Sequence, residues 1–129
     1  MQRVPNGATV LMYGTDAFLL ETRRLVLTSA GYLVSCVLGL YDLEHFLKFR
    51  HPDLVILCHS LSPEMQEQAS RQVRRTSPQS RVILLSTFDG NVSRTASVVN
   101  CFDGPERLIS AMAELASRPL ASVKASLEA

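Results

Sequence analysis

Short apolar runs alternate along the chain with longer segments whose apolar residues recur at helical spacing. The short runs predict strands and the spaced segments predict helices, because side chains repeat every two residues in a strand and about every 3.6 in a helix. The predicted strands cover residues 9–13, 32–37, 54–58, 81–86 and 97–101. The predicted helices run from Thr15 or Asp16 to Ala30, from Tyr41 to Phe49, from Pro63 to Thr76 and from Pro105 onward.

Local signals mark the ends of these helices. A side-chain oxygen of Thr15 or Asp16 is suited to cap the first helix, and Gly31 is suited to close it. Pro63 fits the first turn of the third helix, where no backbone N–H is needed. The ends predicted from periodicity and those predicted from capping therefore agree.

This alternation of strands and helices predicts an α/β fold, with a doubly wound parallel sheet covered by helices on both faces. The functional crevice of such a fold lies beyond the carboxyl ends of the strands. The residues that the chain places there are Gly14, Thr15, Asp16, Cys58, His59, Ser86, Thr87, Cys101 and Phe102. They are the candidate site residues.

Length and charge narrow the function further. The 129 residues make one ordinary domain, and the net charge is +1. Nucleic-acid and membrane partners both require a concentrated basic face, so neither is expected. The one basic concentration, Arg71, Arg74, Arg75 and Arg81, is interpreted as a solvated helix face.

The cysteines and the apolar runs bear on the compartment. Cys36, Cys58 and Cys101 are odd in number and widely spaced, which favours neither a disulfide framework nor a zinc site. No signal peptide and no membrane-spanning run is seen. We expect a cytoplasmic protein with free thiols, and neither a metal nor another cofactor.

Five stretches follow one another in an order typical of a known family. They are Val-Leu-Met-Tyr at 10–13, Ala-Gly-Tyr-Leu-Val at 30–34, His-Pro-Asp-Leu-Val-Ile-Leu at 51–57, Ser-Arg-Val-Ile-Leu-Leu-Ser at 80–86 and Pro-Glu-Arg-Leu at 105–108. In these the chain resembles the receiver domains of two-component response regulators. The resemblance implies a flavodoxin-like, five-stranded sheet of order 2-1-3-4-5. It also implies an N-terminal extension at 1–8, the domain at 9–117 and a tail at 118–129.

The chemistry of that family does not carry over. In receivers, acids after the first strand help to hold Mg²⁺ and an Asp ending the third strand accepts a phosphoryl group. Here the acid pair falls on Gly14 and Thr15, with only Asp16 acidic beside them, and the acceptor position is Cys58. Phosphoryl transfer needs a carboxylate nucleophile and cations to offset charge on the transferring oxygens. The resemblance therefore implies a degenerate pseudo-receiver without the phospho-acceptor.

Two other features of the family are also altered. Ser86 keeps the hydroxyl expected after the fourth strand, but the family's lysine position falls near Cys101, and no lysine occurs between Lys48 and Lys124. The interval from Ser86 to Cys101 is shorter than in the family. A crossover with its helix needs at least about 10–12 residues, so we expect the fourth helix to be shortened or missing.

Two interpretations of Cys58 stay open. A neighbouring imidazolium on His59 could lower the pKa of the thiol and make it reactive. Alternatively, Cys58 is a small buried apolar residue in an unused site, which is how buried free cysteines usually behave. A soft-metal site shared by Cys58, His59, Cys101 and Asp16 is disfavoured, since the third and fifth strands lie roughly 10 Å apart.

Together these observations predict a stand-alone signalling module that is not an enzyme and acts by protein–protein contact. The expected partner is a kinase, an effector or a regulator, and the sequence leaves open whether the chain forms a homodimer. Two alternatives remain: a phosphorelay receiver with an unconventional acceptor, and a thiol-based redox sensor at Cys58.

Overall fold

The structure is a computed structural model and describes residues 8–86, 97–100 and 105–116. Strands and helices alternate along the chain as the hydrophobic pattern predicts. The strands are β1 (Thr9–Tyr13), β2 (Leu33–Val37), β3 (Leu54–Leu57), β4 (Arg81–Ser86) and β5 (Ser97–Asn100). The helices are α1 (Ala17–Ser29), α2 (Leu40–Phe49), α3 (Pro63–Thr76) and α4 (Pro105–Ala116).

The strands form one parallel sheet in the order β2-β1-β3-β4-β5. The predicted α/β class with a parallel sheet is confirmed. Strands β2, β1, β3 and β4 are described with their side chains, whereas β5 is described by its backbone and the side chain of Val99. The predicted shortening of a helix between β4 and β5 falls on residues 87–96, outside the described residues. The predicted tail and the extension before Ala8 lie outside them as well.

Two apolar layers hold the sheet between its helices. On one face, Met12 and Ile56 lie in a cluster with Leu20 and Leu27 of α1 and Met112 of α4. On the other face, a second cluster joins the sheet to α2 and α3 and contains Leu11, Val55, Leu43, Leu47 and Val73. Because β1 and β3 are buried on both faces, their residues are apolar without alternation.

Capping fixes where α1 begins and ends. Asp16, one of the two predicted caps, is the N-cap, and its carboxylate accepts hydrogen bonds from the N–H groups of Phe18 at 3.1 Å and Leu19 at 3.2 Å. Gly31 follows the last turn with a φ of 104°, a left-handed conformation that favours glycine. The chain therefore turns directly from α1 into β2, and Asp16 is held at the carboxyl end of the sheet.

Candidate functional site

The carboxyl ends of β1 and β3 come into direct contact. The Cys58 N–H donates to the Tyr13 carbonyl at 2.9 Å, and the Gly14 N–H donates to the Val37 carbonyl at 3.3 Å. These hydrogen bonds place Gly14 and Cys58 side by side at the carboxyl edge of the sheet. A Cβ added at Gly14 would lie 3.1 Å from the Cys58 Cβ and 3.0 Å from the Ser60 Oγ. The space beside Gly14 is therefore filled by Cys58 and Ser60, and a carboxylate at position 14 would require them to move.

Ser60 joins the loop after β3 to the loop after β1. Its Oγ accepts a hydrogen bond from the Thr15 N–H at 3.0 Å, and its carbonyl accepts one from the Thr15 hydroxyl at 3.2 Å. Thr15 thus engages both its backbone donor and its hydroxyl with one residue. Sequence reasoning missed Ser60, because nothing local marks a serine two residues after a strand end as a partner for residue 15.

Asp16, the acidic side chain that the described residues place beside Gly14 and Thr15, already has a structural task. The Asp16 Oδ1 accepts both capping hydrogen bonds of α1. Within the ranges that the structure describes, no group of three His, Cys, Asp or Glu side chains is placed to hold a metal ion. The donor set of Gly14, Thr15 and Cys58 offers no carboxylate, so it does not fit Mg²⁺, which prefers hard oxygen ligands.

Cys58 is a buried thiol. Its side chain is 1% exposed, and burial raises its pKa to about 11 against the opposing effect of the Arg23 guanidinium. At neutral pH the group is therefore protonated, and the thiol is a poor nucleophile compared with the thiolate. This environment favours the interpretation of Cys58 as a small apolar residue.

His59 does not supply the cation that a reactive Cys58 requires. Burial first, and then the Arg23 guanidinium, lower the pKa of His59, whereas Asp16 raises it. The Arg23 Nη2 lies 3.4 Å from the His59 Nδ1. Near neutral pH the ring is therefore neutral, and the idea that an imidazolium activates Cys58 is not supported.

Arg23, which is not among the predicted site residues, brings a positive charge to the crevice. It lies on α1, and its Nη1 is buried without a hydrogen-bond partner among the described residues. No lysine occurs between Lys48 and Lys124, but Arg23 places positive charge beside Cys58 and His59. A signal was available: position 23 falls on the inward stripe of α1 with Leu20 and Leu27, where a charged residue is unusual.

A second buried polar residue, Gln66 of α3, joins the ends of β3 and β4. Its amide nitrogen lies 3.1 Å from the carbonyl oxygens of both Cys58 and Leu85 and 3.4 Å from that of Leu57. Ser86 ends β4 as a buried residue. Cys101 lies outside the described residues. Gln66 was also missed, although it shares the inward face of α3 with Ala69 and Val73.

Three members of the basic concentration noted in the sequence, Arg71, Arg74 and Arg75, lie on α3, whereas Arg81 begins β4 and is not part of that helix face. Arg71 pairs with Glu67 at 3.3 Å, and the Arg74 Nη1 donates to the Ser70 Oγ at 3.3 Å. Both contacts lie within one helix, as expected for a solvated face. None of the described helices is long and apolar enough to cross a membrane.

Sequence comparison does not place the chain, because no protein-family model and no curated protein matches it. Solved structures do match its fold. A response regulator receiver protein from Sinorhizobium medicae WSM419 is 23% identical, with a TM-score of 0.71 over 85% of this chain and 94% of that one. A response regulator from Thermotoga maritima is 17% identical, with a TM-score of 0.72 over 87% and 99%. The chain has the receiver-domain fold.

A third similar structure was solved with bound ligands. It is the response regulator TrrA from Thermotoga maritima in complex with Mg²⁺ and BeF, 19% identical with a TM-score of 0.69 over 83% of this chain and 97% of that one. At these identities the likeness establishes the fold alone. The chemistry has to be argued from this chain's own residues.

Proposed function

We propose that this chain is a signalling module with a receiver fold that does not pass through an aspartyl-phosphate cycle and acts by contact with other proteins. The observation that carries the proposal is the contact of Gly14 with Cys58 and Ser60 at the carboxyl ends of β1 and β3. It supports a crevice occupied by side chains instead of one open to an acyl phosphate.

The chemistry of the site argues in the same direction. A thiol acts as a nucleophile in its ionised form, and the Cys58 pKa of about 11 leaves that thiol protonated near neutral pH. Mg²⁺ is usually bound through one or two carboxylates, and Gly14, Thr15 and Cys58 offer none, while the Ser60 Oγ accepts a hydrogen bond from the Thr15 N–H. The residues at the acceptor and cation positions therefore meet neither requirement of phosphoryl transfer, and we infer no enzymatic activity.

The proposed mode of action is recognition by a protein surface. The partner is a kinase, an effector or a regulator, and neither nucleic acid nor a membrane is expected, because the net charge is only +1 and Arg71 of α3 pairs with Glu67 of the same helix. Hydrogen bonds between Thr15 and Ser60 and from Gln66 to the ends of β3 and β4 tie the loops of the crevice together. They favour one fixed conformation, as expected for a module that presents a constant surface.

Incubation with a small-molecule phosphodonor and Mg²⁺, followed by intact-mass measurement, tests the proposal. A phosphorylatable receiver treated in parallel is the positive control, and Cys58→Asp is the matched variant that restores a carboxylate at the acceptor position. We expect no added phosphoryl mass on the native chain. A stable adduct on Asp16 or Ser86 would instead establish a phosphorelay receiver with an unconventional acceptor.

The redox alternative has a separate readout. Treatment of the folded chain with mild peroxide, followed by peptide mapping, measures oxidation of each cysteine. The half-buried Cys36 is the internal control, because it is more exposed than Cys58 in the same molecule. We expect Cys58 to oxidise more slowly than Cys36. Faster oxidation of Cys58 would support a thiol sensor and contradict the proposal.

A further inference from the structure

The strand at one edge of the sheet lacks protection against pairing. Among the described strands, β2 pairs only with β1. Proteins usually protect a free strand edge with charged residues or proline. Here the sequence from Leu25 to Tyr41, which includes all of β2, contains no charged residue and no proline.

The backbone of β2 presents hydrogen-bonding groups along this edge. The Leu33 N–H donates to the Ala8 carbonyl at 2.9 Å, and the Val37 carbonyl accepts from the Gly14 N–H at 3.3 Å. Since alternate residues of a parallel strand bond to the same neighbour, Leu33, Ser35 and Val37 face β1. The N–H and C=O groups of Val34 and Cys36 therefore point away from β1, toward the free edge.

Exposed apolar side chains are concentrated around the same edge. In the described part of the chain, the large apolar residues that are exposed all lie on α1, on α2, or on and beside β2. They are Phe18, Leu25, Leu33, Leu38, Tyr41 and Phe49. At roughly 100 Å² each, they present on the order of 600 Å² of apolar surface. Helices α1 and α2 pack on opposite faces of the sheet and both contact β2, so this exposed apolar surface borders the edge from both sides.

Two grooves flank the edge and meet beside its midpoint. One is lined by Cys36 and Leu38 and the other by Leu33 and Ser35, and both are bordered by Arg24 of α1 and Phe46 of α2. Glu21 and Arg24, paired at 2.6 Å, give the α1 border both signs of charge. A surface with both signs can face a second copy of itself without placing like charges together.

Helix α2 carries an aromatic stripe that is symmetric about its middle. Tyr41, His45 and Phe49 follow one another at intervals of one helical turn, and their rings contact in sequence with centroids 6.4 Å and 5.2 Å apart. Tyr41 is 77% exposed and Phe49 is 73% exposed. In an antiparallel pair of α2 helices centred on His45, each Tyr41 would lie opposite the other copy's Phe49.

We propose that β2 is the interface of a homodimer, in which the β2 strands of two copies pair antiparallel about a two-fold axis at Ser35. Val34 of one copy and Cys36 of the other then form a hydrogen-bonded pair, on both sides of the axis. A stable interface takes about 800 Å² from each partner, and the exposed apolar side chains beside β2 and the polar borders of the grooves are the surfaces from which it would be drawn. This dimer does not depend on the chemistry of the crevice.

A single added cysteine tests the register. In the proposed pairing the two Ser35 residues form a non-hydrogen-bonded pair with Cα atoms about 4.5 Å apart, within the range of roughly 4.4–6.8 Å that a disulfide bridges. The two native Cys36 residues are diagonal neighbours about 7–8 Å apart, at or beyond that range. Ser35→Cys should therefore form a reducible covalent dimer under mild oxidation, whereas the native chain should not.

Gln79→Cys is the control for this cross-link, because it adds an exposed thiol far from β2 along the chain. Cross-linking of Ser35→Cys no stronger than that of Gln79→Cys would overturn the proposed register.

Sedimentation tests the interface without cross-linking. The native chain should sediment as a dimer that dissociates on dilution, and Leu33→Lys/Leu38→Lys should be monomeric with an unchanged circular dichroism spectrum, since both side chains are exposed. Gln68→Lys/Gln79→Lys adds the same charge at exposed positions elsewhere and should remain dimeric. A native chain that is monomeric at all concentrations would overturn the proposal. The free edge of β2 would then be available only to a strand of another protein. A dimer that survives Leu33→Lys/Leu38→Lys would overturn the proposal as well.

Discussion

Thr15 and Ser60 are joined by two hydrogen bonds, one to the serine hydroxyl at 3.0 Å and one to its carbonyl at 3.2 Å. The two residues lie 45 positions apart in the chain and belong to the loops after β1 and β3. Their contact occupies the polar groups that would otherwise be free to bind a ligand at the carboxyl end of the sheet. It is the polar counterpart of the apolar contact between Gly14 and Cys58.

The first prediction concerns this pair. Thr15→Val removes the hydroxyl that donates a hydrogen bond to the Ser60 carbonyl. The free energy of unfolding should therefore fall by about 1 kcal/mol. Urea denaturation followed by circular dichroism measures the change. Thr28→Val makes the same substitution at an exposed position of α1 and should change stability by less than about 0.5 kcal/mol. Equal effects of the two variants would contradict the assigned role of Thr15.

Gln66 should be more important for stability than any exposed glutamine of α3. Gln66→Met keeps the length of the side chain but removes the donor shared by the Cys58 and Leu85 carbonyls, at a cost of about 2–3 kcal/mol in the free energy of unfolding. Gln68→Met, on the exposed face of the same helix, is the matched control and should stay within about 0.5 kcal/mol of the native chain. A neutral Gln66→Met would show that the buried amide does not hold the strand ends together.

The raised pKa of Cys58 predicts a loss of stability in alkali. The folded-state pKa of about 11 lies above the ordinary value of 9.0, so the thiol favours the folded state at lower pH. As pH rises between these values, the unfolded chain ionises first, and up to on the order of 2–3 kcal/mol is lost. Unfolding measured at pH 8 and near pH 11 should show a larger loss for the native chain than for Cys58→Ala.

Other groups titrate in the same pH range, so the comparison with Cys58→Ala is needed to isolate the effect of the thiol. Burial also raises the pKa of Tyr13 and Tyr32, and both tyrosines are unchanged in Cys58→Ala. The difference between the two proteins therefore reports the thiol alone. Identical pH profiles would mean that the folded-state pKa of Cys58 is not raised.

Arg23 should contribute, after burial, to the lowered pKa of His59. Arg23→Met removes the guanidinium that lies 3.4 Å from the ring, so the pKa of His59 should rise, while Asp16 continues to favour the charged ring. Titration of the ring carbon protons by NMR measures the shift. Arg24→Met is the matched control, because Arg24 pairs with Glu21 on a different face of the helix. No rise in Arg23→Met, or an equal rise in both variants, would contradict the assignment.

Local features could be predicted from the sequence. Asp16 as a cap, Gly31 at the end of α1 and Pro63 in the first turn of α3 depend on residues only a few positions away. The strands β1, β3 and β4 were also evident, because their apolar residues are continuous. These elements together were enough to predict a parallel α/β sheet, whereas the order of its strands was implied only by the resemblance to receivers.

The interior of the site could not be predicted in the same way. Arg23, Ser60 and Gln66 are polar residues in helices or loops, and such residues usually face solvent. Their roles depend on contacts between distant parts of the chain, such as Thr15 with Ser60 or Gln66 with Leu85. The pattern placed Gly14 and Cys58 at the same edge, but only the structure shows that Cys58 and Ser60 fill the space beside Gly14.

The central claim is that this receiver fold has no phosphoryl site at the ends of β1 and β3. NMR titration of the folded chain with Mg²⁺ and beryllofluoride, following the backbone amides of Gly14, Cys58 and Ser86, tests it most directly. The account predicts no site-specific shifts at these amides, with a phosphorylatable receiver responding under the same conditions. Saturable shifts at Cys58 and Ser86 would contradict it.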